Sequence, residues 1–75
     1  MRTIFRTSFG TGSDAVQYRV TSGAGRANIA ERLPGSTGWR IRRRLTEEEF
    51  RERAQELGLF KAESNGRGIL VMLNE

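Results

Sequence analysis

Residues 39–50 constrain the fold more than any other stretch of this chain. Trp39-Arg40-Ile41-Arg42-Arg43-Arg44-Leu45 runs directly into Thr46-Glu47-Glu48-Glu49-Phe50, so four arginines within five residues meet three glutamates. The first part alternates with the period of a strand. The second part carries the signals of a helix start. Thr46 is a good N-cap, Glu49 completes a capping box, and Leu45 and Phe50 hold the flanking staple positions. Three glutamates in the first turn complement the helix dipole. Phe50, Ala54 and Leu57 form one apolar stripe, and Glu47–Arg51 and Glu49–Arg53 are spaced as i,i+4 pairs. Gly58 suits the left-handed cap position, with Leu59 after it able to pack back. The spacing therefore predicts a strand feeding a main helix over about residues 46–57. The acidic run is accounted for as helix start, with no metal-binding or catalytic role.

The junction also divides the charge. Residues 1–44 hold nine arginines against Asp14 and Glu31, and residues 45–75 hold four basic residues against seven glutamates. The chain is 75 residues long, one domain spanning residues 1–75, near the lower size at which a single core suffices. Cysteine and histidine are both absent, so there is no disulfide, no thiolate, and neither the commonest metal ligand nor the commonest general base. No cofactor and no metal are expected. No apolar run approaches a membrane span and no signal-peptide pattern opens the chain, which makes a cytoplasmic protein the default expectation.

Residues 2–9 read as a strand rich in β-branched and aromatic residues, and 10–14 as a turn. In 15–21, Val16, Tyr18 and Val20 alternate with Gln17, Arg19 and Thr21, completing a hairpin. Ser22-Gly23-Ala24-Gly25-Arg26 is read as a glycine-rich loop, with the weaker option of an anion-binding nest ahead of a short helix over 26–33. Pro34 to Gly38 form a second loop. At the C-terminal end, Asn65-Gly66 between 59–64 and 67–73 signals a closing hairpin whose last strand is apolar on both faces. The expected fold is α+β: a mostly antiparallel sheet in the order β-β-short α-β-α-β-β, with one main helix on one face. The expected core is Phe5, Phe9, Val16, Tyr18, Val20, Trp39, Ile41, Phe50, Leu57, Phe60, Leu70 and Met72.

The candidate functional surface is basic. Strict alternation puts Arg40, Arg42 and Arg44 on one strand face, about 6.6 Å apart. If the first strands are neighbours, Arg2, Arg6 and Arg19 join them opposite the helix, and Arg26 lies in the glycine-rich loop. Arg43 breaks the apolar face and is expected at the core edge or paired with a glutamate. Arginine makes bidentate contacts to phosphate, so these seven residues point to nucleic acid, DNA or RNA, or to a nucleoprotein. Trp39 offers base stacking. No recognised nucleic-acid motif is present; a winged-helix arrangement has only an acidic helix and the Asn-Gly hairpin to support it.

The alternative is a small protein-binding inhibitor or adaptor of the phage or mobile-element type, for example anti-CRISPR-like, a comparison of size and composition alone. Its contacts would be the acidic helix face (Glu48, Glu52, Glu56, Glu63) or the apolar last strand, which would also permit a homodimer by sheet extension. A third option is that the arginines are merely a solvated face, and a GC-rich genome would itself favour arginine codons. The acid–base inventory of one Asp, one Tyr, one Lys and helical glutamates forms no catalytic constellation, and a non-enzymatic protein is expected.

Overall fold

The computed structural model describes residues 1–61 and 65–75. Four strands, β1 (Arg2–Phe9), β2 (Val16–Gly23), β3 (Arg26–Arg32) and β4 (Arg40–Thr46), precede two helices, α1 (Glu47–Glu56) and α2 (Asn65–Leu73). The strands form one antiparallel sheet in chain order. The architecture is α+β in a small single domain, with the helices on one side of the sheet and the other side open. Among the described residues no helix is long and apolar enough to cross a membrane.

The junction that dominates the sequence is built as its residues dictate. Thr46 is extended (φ −71°, ψ 156°), its hydroxyl oxygen accepts from the Glu49 amide at 3.1 Å, and the hydroxyl donates to the Glu49 carboxylate at 3.0 Å. Leu45 and Phe50 are both buried, as staple residues should be. Arg51 pairs with Glu47 at 2.9 Å, whereas Arg53 turns to Glu56 and Glu75 rather than to Glu49. At the C-terminus Gly58 takes φ 64°, its amide donating to Gln55 O at 3.2 Å while Leu59 N–H reaches Ala54 O at 2.8 Å. That is a Schellman motif, and it turns Leu59 fully into the core.

Two segments depart from their sequence expectation. Residues 26–32 form β3, not a short helix. Ala27 and Ile29 alternate with Asn28 and Ala30, and the β2 partners Ser22 and Val20 stand directly opposite Ala27 and Ile29. Two turns of helix gain little without tertiary support, so cross-strand packing decides. The glycine-rich loop is accordingly a two-residue hairpin turn in which Ala24 (φ 53°) and Gly25 (φ 75°) both occupy the left-handed region. The turn also anchors α1, because Gly25 O accepts from the Glu47 amide at 2.9 Å.

The second departure is α2, which replaces the closing Asn65-Gly66 hairpin. A short apolar run fits a buried strand or a buried helix equally well. Here Ile69 and Met72, three apart, are fully buried, and Val71 between them is exposed. Gly68 faces Leu59 so closely that a Cβ there would lie 2.5 Å from Leu59 Cδ1. Residues 62–64 of the expected first strand lie outside the described residues.

The core consists chiefly of Tyr18, Val20, Ala27, Ile29, Leu45, Phe50, Ala54, Leu59, Ile69 and Met72. Each large apolar side chain buried there is worth roughly 1.5–3 kcal/mol. Three expected core residues are exposed instead: Phe9, Ile41 and Phe60. Trp39 is half-buried and lies among arginines rather than in this core.

Candidate functional site

Residues directly opposite one another on antiparallel strands share a face, so the register sorts every side chain of the sheet. The rows Phe5–Val20–Ile29 and Ser22–Ala27–Leu45 face the helices. The intervening rows, Arg6–Arg19–Ala30–Ile41 and Thr21–Asn28–Arg44, form the open face. Arg26 and Arg32, two-residue steps either side of Asn28 and Ala30, belong to the same face.

Strict alternation fails within β4. Ile29 opposes Arg43 and Ala30 opposes Ile41, so Arg42 is an extra residue in a β-bulge. The expected triad is therefore split. Arg44 stays on the open face, while Arg40 and Arg42 converge on Glu31 from the helix side. Glu31 is 5% exposed, and Arg42 Nη1 donates to both its carboxylate oxygens at 2.9 and 2.8 Å, with Arg40 at 3.3 Å. Tyr18 stands opposite Glu31 on β2, and its phenol is pushed up from 10.0, first by burial and then by the adjacent carboxylate. Arg43, as expected, is paired: it donates to Met72 O and lies 3.6 Å from Glu75. Arg2 pairs with Ser22 and lies exposed at the helix-side edge.

Four of the seven sequence-predicted residues thus come together on the open face: Arg6, Arg19, Arg26 and Arg44. Arg32 joins them, a residue missed because 26–33 was read as helix; period-two spacing from Arg26 was the signal for it. None of these five arginines forms an ion pair with a described residue. Arg32 instead donates to Gln17 Oε1. Trp39 lies across this end of the sheet, its ring centroid 4.3 Å from the Arg19 guanidinium carbon and 5.1 Å from that of Arg32. Such cation–π contacts hold guanidinium groups in place without neutralising them.

The face also carries the two buried side-chain polar atoms that lack a partner among the described residues, Arg19 Nε and Asn28 Oδ1. Buried polar atoms are normally satisfied, and leaving one unmet costs on the order of 1–3 kcal/mol. On the opposite side of the molecule α1 exposes Glu48, Glu52 and Glu56; Glu63, grouped with them in sequence, lies outside the described residues. Among the described residues no group of three or more acidic side chains is placed to hold a metal ion. Comparison with protein-family models, with curated proteins and with solved structures finds no match for this chain.

Proposed function

We propose that the protein is a small, non-enzymatic, cytoplasmic binding module that contacts nucleic acid, or a nucleoprotein, through the open face of its sheet. The observation that carries this reading is the segregation of charge. Every ion pair among the described residues is made by Glu31, Glu47, Glu56 or Glu75, and none involves an arginine of the open face. Five uncompensated guanidinium groups spread over one sheet face favour a polyanion, and arginine is the side chain best suited to phosphate oxygens.

The test is fluorescence anisotropy with labelled oligonucleotides across a salt series. Five phosphate contacts give a log–log slope of about −3.5 with single strands. Arg6→Gln with Arg44→Gln is expected to weaken binding and flatten that slope by about 1.4. Arg51→Gln, on the helix side, should leave both unchanged. No binding, or binding indifferent to salt, removes the reading.

A protein-binding inhibitor or adaptor is the second reading, and a separate observation favours it. Phe60 is 65% exposed and packs edge-on against Phe5, with ring centroids 5.9 Å apart, leaving an aromatic surface at the helix side. Capture of a protein target that survives nuclease treatment and is lost in Phe60→Ser would support it.

A further inference from the structure

Trp39 is the chain's single tryptophan, and its ring packs against Arg19 and Arg32 of the open face. With Arg6, Thr7, Ser8, Gln17 and Tyr18 it lines a shallow cleft of about 280 Å³ beside the C-terminal part of β1 and the start of β2. That volume falls just below the range of about 300–1,000 Å³ typical of drug-sized ligand sites, and suits one planar ring system. On the open face the cleft's side chains are the Trp39 indole with the Ser8 hydroxyl, the Gln17 carboxamide and the Arg6 guanidinium, since Thr7 and Tyr18 pair with each other on the helix side. These are the groups that hold a nucleobase, a π-face to pack against and donors and acceptors for its edge. The cations run on from the cleft, with Arg6 within it, Arg19 directly opposite Arg6, and Arg44 in the neighbouring row.

We propose that this cleft receives one unpaired base of a single-stranded nucleic acid, packed against Trp39, while the flanking phosphates lie on Arg6, Arg19 and Arg44. The proposal rests on the nucleic-acid reading above and adds the strandedness. A duplex keeps its bases stacked on each other, and extruding one costs free energy that a single strand does not spend. The open sheet therefore prefers single strands, whereas phosphate contacts alone would accept both forms.

Because Trp39 is the sole indole, its intrinsic fluorescence reports on the cleft alone. Single-stranded RNA, single-stranded DNA and the duplex of the same sequence, each about 16 nucleotides long, are titrated while fluorescence and anisotropy are read together. The expected result is quenching by single strands that saturates with the anisotropy, and binding at least about tenfold weaker for duplex. Trp39→Leu should lose about tenfold more in single-strand than in duplex affinity, with the single-strand salt slope little changed, and Trp39→Phe should restore most of that difference. Unequal quenching by RNA and DNA identifies which sugar the cleft accepts and supports the proposal. Equal binding of single strands and duplex with unquenched Trp39 overturns it while leaving the phosphate-binding reading intact. Absence of binding to every oligonucleotide overturns both.

Discussion

Glu31 decides which arginines remain available. It is a carboxylate nearly removed from water, with two guanidinium groups on one side and the Tyr18 phenol opposite on β2. Removing one partner of a buried pair costs up to about 3–5 kcal/mol. Arg40 and Arg42 are 66% and 39% exposed, so water would take over part of their solvation. Glu31→Ala is therefore expected to cost about 1–3 kcal/mol, read as a lower denaturant midpoint. Tyr18 adds a pH dependence. Its phenol is raised in the folded state, so its neutral form contributes stability that is complete below pH 10.0 and is lost as pH rises through the folded value. Wild type should lose stability over that alkaline window, and Tyr18→Phe should lose less; matching midpoints for the two across it would refute this.

At the scale of elements, a further prediction concerns the β2–β3 turn. Ala24 holds a left-handed conformation at φ 53°, which costs an L-residue with a Cβ roughly 1–2 kcal/mol. Asparagine tolerates it, and Asn-Gly is the preferred pair for a two-residue hairpin turn. Ala24→Asn should therefore raise stability by about 0.5–1 kcal/mol, visible as a higher Tm with an unchanged fold.

The same turn explains what could be read in the chain beforehand. The main helix was legible because each of its signals is local: cap, box, staple, stripe and Gly58 lie within about four turns. The first hairpin was legible from the alternation of Val16, Tyr18 and Val20. β3 was hidden because Ala27, Ile29, Ala30 and Leu33 also fit a helical stripe, and only pairing with β2 tells the two apart. α2 was hidden because Asn65-Gly66 imitates a hairpin and the run after it is apolar throughout. The candidate site was half legible. Its charge was plain in the sequence, but its membership depended on the bulge at Arg42, which moved two of the three expected strand arginines away and which no sequence pattern announces.

For the whole molecule, the result is a body with two electrical faces, arginine on the open sheet and glutamate on the outer surface of α1. The homodimer that sheet extension would permit rested on an apolar last strand, and that segment is a helix packed on the sheet. In the present architecture the strands available for pairing are the outermost two, β1 and β4. Sedimentation at low salt, where basic and acidic faces attract most, should show any self-association weakening as salt is added. A salt-resistant dimer would contradict this.

Both outer strands are irregular. β1 carries its extra residue at Ile4 and β4 carries its own at Arg42, so neither rim presents an unbroken ladder of amide and carbonyl groups. Bulges twist a rim out of line and remove the flat template on which a second sheet would zip. The irregularity that reassigned the arginines thus has a second effect, on colloidal behaviour. A four-stranded sheet open on one face is thereby guarded at both rims against fibrillar stacking, and straightening either rim by deleting its extra residue would expose it to that fate.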